Sequence, residues 1–322
     1  EAYTVIATIF SLSLLLAIYL IRTLKGTLGL SIGESIGFVP MLFSSFLILL
    51  PVCVFHGALF PFSCRIYAMF SGQEASSAGR VYVYETVGTI IGGIVCTYLL
   101  IPYLNTFQAS AWIALLNLAV CLVLLAPSWK TGLYQKSILV VVSMLLLGSG
   151  FLVFGDQADR LHRSSIKAQW KKQNIVHYQN SQYGNICVTE HQGQYTFFLD
   201  GIPALITPVP DIPAVEEFVH LPLLAHPEPG NLLFLSGGAG GVINEALKYP
   251  SIESVDYAEL DPLLLELVRR FPTPLTESEL NDSRVAIQHV DGRLFLKAAR
   301  KSYDLIFIGI QEPSSLQANR FF

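Results

Sequence analysis

The sequence predicts two architectures in one chain, a bundle of membrane-spanning helices followed by a water-soluble α/β domain. The 322 residues are 52% hydrophobic and only 14% charged, whereas about a quarter of the residues of a soluble protein are charged. Nearly all of this deficit lies before residue 155. After it, strand patterns alternate with helix patterns, which is typical of a parallel sheet with helical crossovers.

The change in composition sets the expected domain boundaries. We expect a helical membrane domain at 1–155, a juxtamembrane linker at 156–179 and the α/β domain at 180–322. The chain begins with Glu1 rather than Met, and it ends at Phe322 without a polar tail. Both ends are therefore expected to be internal positions of a longer protein, with the α/β domain truncated at its C-terminal end.

Five apolar stretches approach the roughly 20 residues that a helix needs to cross a hydrocarbon core about 30 Å thick. These stretches are nearly uncharged and short loops separate them, which argues against the alternative of buried helices in a soluble core. The predicted spans are about Tyr3–Ile21, Phe38–Phe60, Tyr82–Leu104, Phe107–Leu125 and Ile138–Phe154.

A few polar and small residues stand out within these spans. Glu85 lies near the end of the third span, where it has a function, extends its carboxylate toward the membrane surface or pairs with Arg80. His56, in the second span, is a candidate haem ligand or proton relay, although a lone histidine is more often a hydrogen-bonded packing residue. The Gly-rich stretch 88–93 would permit close contact between helices.

The distribution of Lys and Arg predicts the orientation in the membrane. Seven such residues would lie on one side and four on the other, which favours a cytoplasmic C-terminal domain in a bacterial inner membrane, with the lipid bilayer as a partner. The first set is Arg22, Lys25, Arg160, Arg163, Lys167, Lys171 and Lys172, and the second is Arg65, Arg80, Lys130 and Lys136.

Charge and cysteine spacing argue against two classes of partner. The net charge of −4 and the absence of a Lys/Arg cluster argue against a nucleic-acid partner. The five cysteines include no C-x-x-C pair and no metal spacing, so no metal is expected.

The α/β half begins with β structure from about Asn174 to Thr207, consistent with β-hairpins, and continues with a helix candidate at Val215–Ala225. Four strands and three helices are then expected in alternation. The strands are Asn231–Leu235, Ser254–Ala258, Val285–His289 and Leu305–Ile308, and the helices are Val242–Lys248, Pro262–Phe271 and Arg293–Arg300.

The residues that follow the first three of these strands predict a ligand pocket, because the carboxyl ends of parallel strands share one edge of the sheet. Glycines after the first strand let a ligand approach the backbone, Glu259 after the second could accept both hydroxyls of a ribose, and Asp291 after the third could accept from an adenine amine. Each carboxylate alone could equally cap a helix or lie on the surface. The candidate binding residues are Gly237, Gly238, Gly240, Glu259, Asp291 and Gly292.

Seven ordered strings resemble the spermidine synthase family in its membrane-fused form, over about residues 180–322. The resemblance implies an S-adenosylmethionine-dependent methyltransferase-like (Rossmann-like) α/β fold with an N-terminal β-hairpin region. Members of that family transfer an aminopropyl group from decarboxylated S-adenosylmethionine to an amine. The matching strings lie at 183–186, 199–201, 216–220, 236–241, 259–262, 291–293 and 303–306.

The sequence departs from the family where the amine acceptor is held. Ala239 and Gly309 occupy positions at which the family has aspartates, the second of them catalytic, and Ala204 replaces an expected glutamine. Only His220 remains of a Tyr-His-Glu string, and Glu312 is the acid that remains after the fourth strand. The catalytic residue is therefore left open, with Glu312 and His220 as candidates.

These departures predict a membrane-anchored relative that binds S-adenosylmethionine, its decarboxylated form or a related nucleoside without standard spermidine synthesis. A polyamine is multiply cationic, and carboxylates must offset its desolvation. Whether the chain is an active transferase stays open, and its acceptor would be a small-molecule amine or another compound. Two alternatives are an inactive docking subunit that binds other subunits of a membrane complex, and a transporter with a sensor domain.

Overall fold

The computed structural model describes residues 1–30, 36–72, 76–126, 132–171 and 173–309. The chain divides into two compact units, Glu1–Lys171 and Lys172–Phe322. The first unit is helical, and the second contains both sheets of the described chain.

Five helices of the first unit are long and apolar enough to cross a membrane, in agreement with the number of spans predicted. The third of these continues from α3 through a π-helical turn, Cys96–Leu100, into the short α4, Ile101–Tyr103. The long helices are α1 (Ala2–Thr27), α2 (Phe38–Ser71), α3 (Ser77–Val95), α5 (Thr106–Leu125) and α6 (Leu133–Phe154).

The helices extend beyond the apolar stretches that predicted them. Helix α2 continues past Phe60 and through Pro61 until Gly72, whose left-handed φ of 66° ends it. Helix α3 begins at Ser77, so Glu85 is its ninth residue rather than a residue at the end of a span. Hydropathy shows where side chains are apolar, whereas a helix continues for as long as its backbone hydrogen bonds form. Helix ends therefore need not coincide with the ends of apolar stretches.

The segment expected as a linker, 156–179, contains helix α7 (Gln157–Gln169), which belongs to the first unit and packs against α1, α5 and α6. Arg22 of α1 donates to Ser165 of α7 at 2.7 Å and to Thr106 at the start of α5 at 2.9 Å. Helix α7 is polar and is held by hydrogen bonds. The drop in hydropathy after residue 155 therefore gave no sign that another helix follows.

The Gly-rich stretch 88–93 does not make the helix contact that its composition predicted. A Cβ added at Gly88, Gly92 or Gly93 would meet no atom within 4 Å in the described chain. This face of α3 is therefore not packed against another described helix.

Two four-stranded sheets form the second unit. The first is antiparallel in the order β1-β2-β3-β4, and the second is parallel in the order β7-β6-β5-β8. The strands are β1 (Ile175–Asn180), β2 (Asn185–His191), β3 (Gln194–Leu199), β4 (Ile202–Thr207), β5 (Asn231–Leu235), β6 (Ser254–Ala258), β7 (Val285–Gln288) and β8 (Leu305–Ile308).

Helices connect the parallel strands as predicted, and one additional helix, α11, precedes β7. The helices of this unit are α8 (Ile212–Ala225), α9 (Val242–Ala246), α10 (Pro262–Arg270), α11 (Pro274–Leu280) and α12 (Gly292–Ala298).

The strand register positions the site. Leu235 at the end of β5 pairs with Ala258 of β6 on one side and with Ile308 of β8 on the other. Strand β5 is an apolar run whose last four residues are buried, as expected for a central parallel strand. The strand order reverses at β5, and ligands bind at such switch points, outside the carboxyl ends of the strands.

Candidate functional site

A cavity of about 570 Å³ lies at the carboxyl ends of the parallel strands, with the antiparallel sheet contributing to its wall. Its volume is in the range of small-molecule sites, about 300–1,000 Å³. Its polar and glycine lining includes Tyr183, Asn185, Asp200, Ser236, Gly237, Glu259, Asp261, Asp291, Gly292, Arg293 and Gly309.

Glu259 is the most constrained acid in this cavity. Its side chain is only 5% exposed, and its two oxygens accept from different hydroxyls, Oε2 from Tyr257 at 2.9 Å and Oε1 from Ser236 at 3.2 Å. Burial raises the pKa of Glu259, although these hydrogen bonds act in the opposite direction. The structure therefore holds a fixed pair of acceptor oxygens where the sequence predicted the ribose site.

The Gly-rich loop is only partly turned toward the cavity. Gly237 lines the cavity, whereas the backbone N–H groups of Gly240 and Gly241 donate to Glu279 of α11 at 2.6 and 2.9 Å. A Cβ at Gly238 would come within 2.9 Å of Ile243, so this glycine allows close packing under the loop. Of the three predicted loop glycines, the structure places only Gly237 on the cavity wall.

Glu279 was missed by the sequence reading, because nothing near it in sequence links it to the loop. Its side chain is fully buried, and burial raises its pKa to about 7 while the N–H donors of the loop lower it. Its position fixes the backbone of the Gly-rich loop from behind.

Asp291 lies on the cavity wall but is already engaged by its own helix. It caps α12 by accepting from the N–H of Arg293 at 2.9 Å, and the Arg293 guanidinium contacts it at 2.8 and 3.2 Å. This pairing lowers the pKa of Asp291 to about 2. The capping role that the sequence left open is therefore present, and Arg293 is a cavity residue that the candidate set did not include.

Two further carboxylates line the cavity and were not in the predicted site. Asp200, in a left-handed turn with φ of 50°, accepts from the N–H of Asn185 at 2.8 Å. Asp261 accepts from the hydroxyl of Ser181 at 2.5 Å and caps α10. The Leu-Asp-Gly and Glu-Leu-Asp-Pro strings marked both positions, but their roles depend on the approach of the first sheet.

Gly309 follows β8 at a point where two backbones nearly touch. A Cβ at this position would lie 2.7 Å from the carbonyl oxygen of Ser236 and 2.8 Å from the Cα of Gly237. Real Cβ atoms essentially never approach backbone so closely. The described backbone therefore has no space for an aspartate at 309, whereas Ala239 already has a Cβ and lines the cavity.

Replacing Gly309 with aspartate is expected to destabilise the α/β unit by about 1–3 kcal/mol, because the strand end must shift. The measurement is the urea dependence of thiol labelling at Cys187, which is fully buried in β2. Ala204→Asp adds the same charge to an exposed position of the cavity wall, and we expect it to change stability by less than about 0.5 kcal/mol. Equal urea midpoints for the two variants would contradict this reading of the Gly237–Gly309 contact.

The two catalytic candidates do not join this cavity in the described structure. His220 of α8 bonds to the Tyr249 hydroxyl at 2.7 Å and to Glu245 at 3.0 Å, and it is not on the cavity wall. Glu312 lies outside the described residues. Glu216, His220 and Glu245 place ligand atoms within 4.8 Å of one another, but the Lys248 ammonium already pairs with Glu245 in this cluster.

Comparison with known proteins identifies the α/β unit. The Spermine/spermidine synthase domain family matches residues 213–322. A polyamine aminopropyltransferase from Oceanobacillus iheyensis is 29% identical over 255 residues, which cover 76% of this chain and 48% of that protein. Another, from Leptospira interrogans, is 25% identical over 279 residues, which cover 86% of this chain and 55% of that protein.

The chain spans about half the length of the curated relatives it matches. Among solved structures, a spermidine synthase in complex with the transition state analogue AdoDATO is 26% identical, with a TM-score of 0.41, and the match covers 46% of this chain and 50% of that chain.

The matches to the two aminopropyltransferases are longer than the α/β unit. The unit Lys172–Phe322 is less than half of the chain, whereas the matches cover 76% and 86% of it. Sequence similarity therefore extends into the helical unit. The chain carries a spermine/spermidine synthase domain and is a homologue of the polyamine aminopropyltransferases.

Proposed function

We propose that this chain is a membrane-anchored member of its family that binds the adenosyl group of S-adenosylmethionine or its decarboxylated form in the α/β cavity. The buried Glu259 carboxylate carries this proposal. Its two oxygens are fixed by Tyr257 and Ser236 at the edge of a cavity of suitable volume. A pair of anionic acceptors suits the two adjacent hydroxyls of a ribose.

Asp291 and Gly292 form the second part of the proposed site. The carboxylate of Asp291 keeps its charge because Arg293 pairs with it, and it would accept from the adenine amine through its remaining lone pairs. A Cβ at Gly292 would come within 3.1 Å of the Leu235 side chain, which would have to shift by a few tenths of an ångström.

The acceptor end of the cavity supports a reaction other than standard spermidine synthesis. Among the described residues, four carboxylates line the cavity; all of them have protein partners, and none lies at position 239 or 309. An amine acceptor must be held, and its attacking nitrogen must lose a proton to a base. We infer an acceptor with less positive charge than a polyamine.

The helical unit supports membrane anchoring. Five helices reach the length and hydropathy of membrane spans, and α2 and α3 have no buried residue in their most apolar windows. Those exposed faces suit lipid rather than water. Arg22 contacts α7, so Arg22 and the basic residues of α7 lie at the same end of the bundle. Both belong to the larger of the two sets of Lys and Arg, which favours a cytoplasmic α/β domain.

Calorimetric titration of the full chain in lipid nanodiscs tests the nucleoside site, with decarboxylated S-adenosylmethionine and S-adenosylmethionine as ligands. Binding of either ligand supports the proposal, and absence of binding by both at millimolar concentration would refute it. Retention of the chain in the membrane pellet after alkaline carbonate extraction supports anchoring, and its release would refute that part alone.

One observation favours a second candidate, an inactive docking subunit of a membrane complex. The Gly237–Gly309 contact leaves no space for the family's carboxylate after β8. Under this alternative the nucleoside would bind without turnover, and the chain would co-purify in digitonin with defined membrane partners. Release of the thioether product from decarboxylated S-adenosylmethionine by the chain without partner proteins, in the presence of an amine that takes the aminopropyl group, would exclude it.

A further inference from the structure

A second cavity, of about 560 Å³, is an open groove on the helical unit between α1, α2, α3 and α5, and Tyr84 and Glu85 on its wall are exposed. Its volume also falls in the range of small-molecule sites. Its walls combine aliphatic and phenyl groups with a small number of polar side chains. The polar lining residues are Tyr3, His56, Ser63, Tyr67, Tyr84 and Glu85.

Glu85 is the only carboxylate on this wall, and no lysine or arginine lines the cavity among the described residues. It lies eight residues into α3, about 12 Å along the helix axis from its start. Arg80, the cation expected from the sequence to pair with it, donates instead to the Tyr67 hydroxyl at 3.2 Å. Within the described chain Glu85 forms no ion pair, so no described residue supplies a counter-ion for its carboxylate.

The aromatic groups near Glu85 suit a cation. The rings of Tyr67 and Tyr84 lie 6.2 Å apart, centre to centre, and are inclined by 52°. An ammonium group within about 6 Å of such a ring is attracted to its face. His56, positioned by its ring contact with Phe10 at 5.4 Å, and Ser63 add groups that can bond to an N–H donor.

The size and donor set of the cavity distinguish among cations. A bound Ca²⁺ takes six to eight oxygen ligands and a structural Zn²⁺ takes four N or S ligands, but this wall offers one carboxylate and one imidazole. A lipid tail would gain nothing from the carboxylate. One ammonium group of an aliphatic amine can pair with this carboxylate and contact the rings, and the volume admits a small amine.

We propose that the helical unit binds an aliphatic ammonium compound in this cavity, with Glu85 as its counter-ion and the tyrosine rings as its walls. The inference rests on the proposed placement of α3 in a membrane. There an unpaired carboxylate is unfavourable, and a ligand cation relieves it. The cavity belongs entirely to the helical unit, so the site is separate from the nucleoside cavity.

Equilibrium dialysis of radiolabelled putrescine against the full chain in nanodiscs tests the proposal. Wild type is expected to bind, Glu85→Gln to bind at least about tenfold more weakly, and Glu85→Asp to retain most of the affinity. Tyr84→Leu should weaken binding severalfold, whereas Tyr84→Phe, which keeps the ring, should not. Glu259→Gln is expected to leave putrescine binding unchanged.

Absence of binding by wild type, or equal affinity of Glu85→Gln and wild type, would overturn the proposal. Loss of putrescine binding in Glu259→Gln would place the amine in the α/β cavity and would also overturn it. Two measurements test the proposed function separately: titration of the nanodiscs with decarboxylated S-adenosylmethionine, and carbonate extraction of membranes that contain the chain. If both succeed while putrescine does not bind, only the present proposal fails. We expect Glu85→Gln to bind that nucleoside as wild type does, which shows that the variant is folded.

Discussion

Replacing Glu259 with glutamine is expected to weaken binding of decarboxylated S-adenosylmethionine about 10- to 100-fold, since hydrogen bonds to a charged group contribute about 1.5–3 kcal/mol. The carboxylate presents two acceptor oxygens, each aligned by one hydroxyl of the protein. Glutamine keeps one acceptor and replaces the other with an amide donor. A ribose diol, which needs two acceptors, would lose one hydrogen bond and face an unfavourable donor.

The measurement is the dissociation constant from calorimetry on the full chain in nanodiscs. Glu266→Gln is the matched control. Glu266 is an exposed residue of α10, so this substitution makes the same chemical change away from the cavity. We expect the control to bind as wild type does. Wild-type affinity in Glu259→Gln would mean that the ribose lies elsewhere, and it would remove the observation on which the proposed nucleoside site depends.

The fold of the α/β unit followed closely from its sequence, because its signals are local. Apolar runs such as Asn231–Leu235 have the length of buried strands, and turn residues bound them. Their parallel order then follows from the helices between them. The boundaries in the helical half were less accurate, since α7 is polar and α2 continues beyond its apolar stretch.

The candidate site was predictable only where residues follow a strand directly. Glu259 and Asp291 lie at the predicted sheet edge because each ends a parallel strand or starts the helix after it. Glu279 and Asp200 depend on contacts between segments about 40 and 15 residues apart, which no local pattern encodes. Whether these residues bind a nucleoside remains a prediction.

His220 shows the opposite case. Its place in a family-like string suggested catalysis, but α8 directs its imidazole toward Tyr249 and Glu245. Helical spacing also brings Glu216 to this cluster. A family-like string can therefore serve packing and hydrogen bonding, so only the structure shows whether its polar residue reaches the cavity.

Raising the pH from 5 to 8 is expected to lower the free energy of unfolding of the α/β unit by about 2–3 kcal/mol through Glu279. Burial raises the pKa of this acid from 4.5 to about 7. The folded state therefore binds the proton more tightly than the unfolded chain. The contribution of the group is complete below about pH 4.5 and is lost as the pH rises through 7, where the buried anion forms.

Glu279→Gln is expected to remove most of this pH dependence, because its amide stays neutral while an oxygen still accepts from the Gly-rich loop. Stability is measured as the urea midpoint for labelling of Cys187 by a pyridyl disulfide, normalised at each pH to the denatured chain. Glu277→Gln, on the exposed face of the same helix, should keep the wild-type slope. An unchanged slope in Glu279→Gln would show that the backbone N–H groups of Gly240, Gly241 and Asn244 hold this carboxylate ionised throughout, since three such donors can outweigh burial.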